Sequence, residues 1–239
     1  MLCSKQMKTV RIASVDIGKL HFCILVEEFD SDELLRIENV PKSERYNPDG
    51  TATEDFQEVL DQVFSNGKII LHRNLDLTEN CDSKKTLDPE TYYNMIEALD
   101  EYDEYWQTCS IILIEEQMSF GKKLNKMAMK LAQHCYSYFT LRYGRHHTIV
   151  EFPAYHKTQV LGAPKVEGKP YKSGKLRYKA MEQRDRKKWS VNKAIEILTG
   201  RGEMEFLDEM TSVRKKDDLA DVLVQLQSFK YNMYVDKCM

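Results

Sequence analysis

Two kinds of apolar run alternate along this chain, and each predicts a different kind of element. Thr9 to Asp16 (TVRIASVD) mixes apolar and β-favouring residues and then meets Gly18, which reads as a strand with a tight exit. His21 to Glu27 reads as a second strand and Leu34 to Val40 as a third, so the chain is expected to open as an antiparallel meander. Asn47 to Thr53 has turn chemistry, Asp55 to Phe64 fits a short helix, and Lys68 to Leu75 fits a strand or a loop. From Asp88 to about Thr108, a proline near the first turn and near-helical apolar spacing predict a helix. Ser110 to Glu116 (SIILIEE) is the short β-branched run of a strand buried on both faces.

Lys123 to Tyr143 is expected to be helical, with Met127, Leu131 and Tyr138 on one side and the small residues Ala128 and Ala132 alongside. His147 to Phe152 follows as a strand stopped by Pro153, and Gly162 to Gly174 reads as a mobile loop. Val191 to Leu198 and Asp217 to Tyr234 are expected to close the chain as helices. Strands first, then helices alternating with strands, predict a mixed α/β sheet in a single domain spanning 1–239, with a basic loop insertion at about 163–186.

With 42% hydrophobic and 31% charged residues, the chain has enough apolar side chains for one core. It has no apolar run long enough for a membrane span and no secretory signal at its start, so an intracellular protein is expected. The six cysteines are scattered, without C-x-x-C pairs or histidines at zinc-ligand spacing, and are expected to be reduced thiols. The net charge of -3 conceals a segregation. Glu27 to Tyr105 holds 22 acidic and 7 basic residues, whereas His156 to Arg201 holds 13 basic and 4 acidic. The second stretch is either a phosphate-contacting surface or a solvated basic loop.

Three places put carboxylates where chemistry could use them. Asp16 ends the first strand, and Glu115 follows four apolar residues, where an acid is costly to desolvate unless a cation accompanies it. Asp218 and Asp221, at i and i+3, share a helix face and repel unless something positive lies between them. Magnesium, a hard cation that prefers carboxylate oxygens, would supply that charge. Each place also has a plain structural reading: a turn device at Asp16, a strand end at Glu115, and an acidic first helical turn at Asp217, Asp218 and Asp221.

Taken in order, strand-Asp, strand-Glu and helix Asp-x-x-Asp resemble the ribonuclease H-like fold. "SVDIG", "LIEEQM" and "KKDDLADVLVQ" resemble the three acidic motifs of RuvC-like Holliday junction resolvases, in the form found in fungal mitochondria and large DNA viruses, poxviruses included. "PAYHKTQVLG" resembles the segment that carries a catalytic lysine in that family, which places Lys157 there, and "KWSV" resembles the context of a second lysine, which places Lys188.

The resemblance spans Ile12 to about Phe229 and implies a mixed five-stranded sheet flanked by helices. It implies a structure-specific endodeoxyribonuclease that resolves four-way DNA junctions by paired symmetric nicks, using two Mg2+ ions for which Mn2+ substitutes. Asp16 would bridge the metals and Glu115, Asp218 and Asp221 complete the coordination, with Asp217 competing for the place of Asp218. Lys157 and Lys188 would stabilise charge on the phosphoryl oxygens. Paired nicks imply a homodimer, which in bacterial relatives uses the helix corresponding to Lys123 to Tyr143, and Ala128 and Ala132 would let two such helices approach. Phe120 is a candidate to stack on bases opened at the crossover. The setting implied is the cytoplasm or replication site of an infected host cell. Another ribonuclease H-like nuclease and a non-catalytic module binding branched nucleic acid remain alternatives. A sugar kinase or actin-like ATPase would need glycine-rich phosphate loops that ten scattered glycines do not provide.

Overall fold

Five strands form one mixed sheet in the computed structural model, which describes residues 9–117, 125–174 and 176–238. They are β1 (Thr9–Asp16), β2 (Phe22–Asp30), β3 (Lys68–Leu75), β4 (Ile111–Glu116) and β5 (Thr148–Pro153), in the spatial order β3-β2-β1-β4-β5. β1, β2 and β3 pair antiparallel, whereas β1, β4 and β5 pair in parallel. The helices are α1 (Ser31–Arg36), α2 (Glu54–Ser65), α3 (Pro89–Glu101), α4 (Asp103–Trp106), α5 (Lys126–Tyr143), α6 (His156–Gln159), α7 (Gln183–Arg201), α8 (Met204–Ser212) and α9 (Lys216–Lys230). This is the mixed five-stranded, helix-flanked sheet expected of the ribonuclease H-like class.

The period-2 alternation of strands sorts the core into two layers. Val10 and Ile12 of β1, Cys23 and Leu25 of β2, and Ile111 and Leu113 of β4 pack with α2, α7 and α9. Their neighbours Ala13, Val15, Ile24, Val26, Ile112 and Ile114 pack with α3 and α5. Coverage of both faces explains why β4 reads as an unbroken apolar run.

Several expectations are corrected. Leu34 to Val40 is no strand: Asp30 caps a helix there, its Oδ1 accepting the N–H groups of Asp32 at 2.8 Å and Glu33 at 3.1 Å, a cap worth about 1 kcal/mol. The third strand of the meander is Lys68–Leu75, reached only after α1 and α2. The helix expected to run to Thr108 stops at Glu101, and the Trp106 indole N–H donates to Leu99 O at 2.6 Å, folding α4 back onto α3. The segment read as a mobile loop, Gly162 to Gly174, holds the first strand of a hairpin, β6 (Lys165–Gly168), which pairs with β7 (Arg177–Ala180) just beyond it. α7 begins eight residues before Val191, because its first two turns are charged all round and carry no apolar stripe. α8 was not foreseen, and α9 passes into a π-helical turn, Tyr231–Val235.

Ala132 is buried in the core layer against the chain's own sheet, and Ala128 is buried as well, so neither small residue is exposed on α5. Phe120 lies outside the described residues. Among the described residues Cys23, Cys81, Cys109, Cys135 and Cys238 are free thiols, and no helix is long and apolar enough to cross a membrane.

Candidate active site

Strand parity brings the first two acids together. Val10, Ile12 and Ser14 face α9, so Asp16 does too, and on β4 the same parity carries Ile111, Leu113 and Glu115. The strands are parallel neighbours with Ser14 opposite Leu113, which ends them side by side at their C-terminal edge, where open α/β sheets place ligands. The Asp16 and Glu115 side chains lie against each other, close enough to share a proton. The turn that follows Asp16 needs glycine, since a Cβ on Gly18 would stand 2.5 Å from His21 O.

α9 lies across this edge because buried polar groups pin it. Ser14 Oγ donates to Val222 O at 2.9 Å, and Gln225 Nε2 donates to Ser14 Oγ at 3.1 Å and to Val15 O at 3.4 Å. Asp221, one residue before the pin, is thereby held over the strand ends. α6 is fixed in turn by Ser228 Oγ, which donates to His156 O at 2.9 Å. Its Lys157 is only 5% exposed and turns inward, with Nζ 2.8 Å from Glu115 Oε1 and 3.8 Å from Asp221 Oδ2.

Three carboxylates around one ammonium perturb each other strongly. Burial and the adjacent Glu115 carboxylate push the pKa of Asp16 well above the ordinary aspartate value. Burial acts on Glu115 in the same direction, but the Lys157 ammonium and hydrogen bonds from Asp16 and Lys157 outweigh it and hold Glu115 low. Burial would lower Lys157, yet Asp221, Glu115 and Asp16 together raise it, so it stays charged. A cavity of about 160 Å³ opens beside these groups, lined by Glu115, Lys157, Asp221, Thr158, Arg186 and Lys187 among others.

The remaining assignments divide. Asp217 pairs with Lys187, whereas Asp218 lies 3.6 Å from Lys187 Nζ through Oδ1 and 3.9 Å from both His21 Nδ1 and Lys215 Nζ through Oδ2. Among the described residues Asp218 Oδ2 is buried without a hydrogen-bond partner, and burial with repulsion from Asp217 raises the pKa of Asp218. Lys188 is exposed. Its neighbour Lys187, about 100° away around α7, is the residue that reaches the acids. The early start of α7 hid this, because "KWSV" lies inside the helix and not before it. Arg186 and His21 were also missed; each stands next in sequence to residues with weak local signals.

The donor set suits a hard cation: carboxylate oxygens, mutually repelling, with one buried oxygen unsatisfied. Among the described residues, however, no three such side chains close on a single point, and Lys157 stands between Glu115 and Asp221.

No family model matches the chain. It is 32% identical over 236 residues to uncharacterized protein 170L of Invertebrate iridescent virus 6, an alignment covering 95% of this chain and 92% of that protein. It belongs to the family of that protein. Protein 97L of Invertebrate iridescent virus 3 is 29% identical over 228 residues, covering 92% of this chain and 98% of its own length. Among solved structures, the chain is similar to the fowlpox virus Holliday junction resolvase at 13% identity and a TM-score of 0.49, covering 94% of this chain and 99% of that one. Thermus thermophilus RuvC has 12% identity and a TM-score of 0.47, covering 94% and 96%. These two likenesses concern the fold alone.

Proposed function

We propose that this member of the 170L family is a divalent-metal-dependent endonuclease that resolves four-way DNA junctions by paired nicks. The observation that carries the proposal is the convergence of Asp16, Glu115 and Asp221 on the buried Lys157 at the mouth of a cavity rimmed by Arg186 and Lys187. Acids alone would repel a phosphodiester, and cations alone would bind it without cutting. Here both lie within a few ångströms of one opening.

In this reading Asp16, Glu115, Asp218 and Asp221 would hold magnesium, with manganese as a substitute. When bound, the metal would supply the positive charge that phosphodiester hydrolysis needs. Lys157, charged and desolvated, stabilises negative charge on the phosphoryl oxygens. Lys187 steers the phosphate to the opening while screening Asp217 and Asp218. Symmetric nicking calls for two copies of the site, and so for a homodimer. With Ala132 committed to the core and Ala128 buried, the seam between copies uses other surfaces. The relatives are viral, and the enzyme would act in an infected cell on joined replicating genomes.

A second reading is a structure-specific DNA-binding protein without catalysis. It draws on Lys157, which already lies among the acids as a cation would, and on the absence of a closed three-ligand group among the described residues. A labelled four-way junction and a linear duplex of the same sequence, incubated with Mg2+ or with EDTA, separate the two. Paired nicks in the junction that require Mg2+ are expected. Tight junction binding with no nick in Mg2+ or Mn2+ would favour the second reading.

A further inference from the structure

The β6–β7 hairpin has no role in the core, and its place in the chain is informative. It leaves α6, which carries Lys157, and returns to α7, which carries Arg186 and Lys187. Both of its roots therefore stand on the rim of the catalytic cavity.

The root is built to hold a direction. The Lys165 N–H donates to Asp49 O at 2.5 Å, and the Lys165 side chain lies along Gly50. Gly162, at φ +76°, lets the chain turn directly beneath residue 52, where a Cβ would stand 2.8 Å from Ala52 N. The Tyr46 hydroxyl donates to Val160 O at 3.0 Å on the same side.

Beyond the root, none of the ribbon's described residues is fully buried, and only Gly168 and Tyr178 of its strands are half-buried. Lys165, Val166, Glu167, Arg177, Lys179 and Ala180 are all exposed. A two-stranded ribbon without a packed face is marginal by itself, so the apolar core does not account for it. Its charge is one-sided: residues 165–180 hold six basic side chains and one acid, Glu167. Pairing places Val166 opposite Lys179 and Gly168 opposite Arg177, which puts Arg177 and Lys179 on one face. On the ribbon's tip the Arg177 guanidinium stacks 5.7 Å from the centre of the Tyr171 ring, and that tyrosine is 55% exposed.

We propose that this hairpin is a DNA-gripping arm. Arg177 and Lys179 hold backbone phosphates of the DNA that flanks the strand in the cavity, and Tyr171 stacks on a sugar or an unpaired base there. Phosphate chemistry is favoured over an acidic protein partner because the arm is rooted on the rim of a site that already pairs cations with a phosphate-sized opening. The arm rests on the nucleic-acid part of the proposed function but not on its catalytic part.

Binding without catalysis tests it. The wild-type chain, R177A/K179A and Y171A would be titrated with the labelled four-way junction in EDTA at several salt concentrations, with thermal unfolding as a check that the variants fold. Each phosphate contact contributes roughly 0.9 to the slope of log affinity against log salt, so R177A/K179A should flatten that slope by about 1.8 and weaken binding on the order of tenfold. Y171A should weaken binding several-fold while leaving the slope unchanged. Wild-type slope and affinity in folded R177A/K179A would overturn the arm and leave the nuclease reading standing if the wild type still nicks the junction. A flattened slope in a wild-type background that never nicks would keep the arm and reject the nuclease. A wild-type chain that does not bind DNA at all overturns the arm as well.

Discussion

Two clusters of buried charge stand on the same face of one sheet, and they are built to opposite ends. One surrounds Glu27 of β2. Its carboxylate takes Arg201 Nη1 at 3.0 Å, Lys230 Nζ at 2.6 Å and Gln227 Nε2 at 2.7 Å, and both Glu27 and Lys230 are fully buried. The other surrounds Asp16, whose partner across β2 is Cys23, four residues or about 13 Å along the strand from Glu27. Around Glu27 two cations meet one acid, with a side-chain amide closing the shell. Around Lys157 three acids meet one cation and the group opens onto a cavity. Burial would raise Glu27, yet Arg201 and Lys230 bring it below the ordinary glutamate value, whereas Asp16 remains high. Buried charge by itself therefore does not mark a functional site; an unbalanced charge with access to solvent does.

The sharpest way to break this comparison is to unbalance the closed cluster. Glu27→Gln takes from Arg201 and Lys230 the carboxylate that they hydrogen-bond, leaving only the more distant Glu203, and should cost about 3–5 kcal/mol of folding stability, measured by urea denaturation. Junction cleavage per folded molecule should be unaffected. A loss under 1 kcal/mol would mean that the cluster is not the structural staple its contacts describe.

Between the clusters, opposite Leu25 of β2, lies His72, fully buried with Nε2 3.1 Å from Leu219 O. Burial lowers its pKa from 6.5 to about 4. A base depressed in the folded state binds its proton mainly when unfolded, so stability should be level above pH 6.5 and fall as pH drops toward 4, by up to about 3 kcal/mol. Denaturation midpoints across that range, compared with His72→Gln, should show the variant without this slope.

At the open cluster, Lys157→Ala should slow junction cleavage on the order of 100-fold with little change in junction binding, read by single-turnover kinetics. The smallest effect sharpens an assignment. Lys187→Ala should lower cleavage by roughly tenfold, as expected for a charge near the phosphate, and Lys188→Ala should leave it at the wild-type rate. The reverse order would restore the assignment made from "KWSV".

How far such a site is legible beforehand depends on where each residue draws its signal. Asp16 and Glu115 end apolar strands, and strand parity alone then forces them together. Asp221 shares a helix face by spacing. Lys157 was legible only through a motif resemblance, because no periodicity tells an inward lysine from an outward one on the single turn of α6. Lys187 was hidden by a helix start without an apolar stripe, and Glu27 by its resemblance to the solvent side of an alternating strand. α1 was missed for a related reason: Leu35 and Ile37 fit a strand period while Leu34 and Ile37 fit a short helix, and the cap from Asp30 decided between them. The hairpin lay in a stretch whose glycines and prolines read as loop, and its pairing has no apolar alternation to announce it.

The most direct measurement is a Mn2+ titration followed by electron paramagnetic resonance of the free ion, on the wild-type chain, Asp221→Asn and Glu27→Gln. An acid-rich, cation-poor site predicts saturable Mn2+ binding to the wild type, its loss in Asp221→Asn and its retention in Glu27→Gln. A wild-type chain with no saturable Mn2+ binding, or binding that survives Asp221→Asn intact, would contradict it.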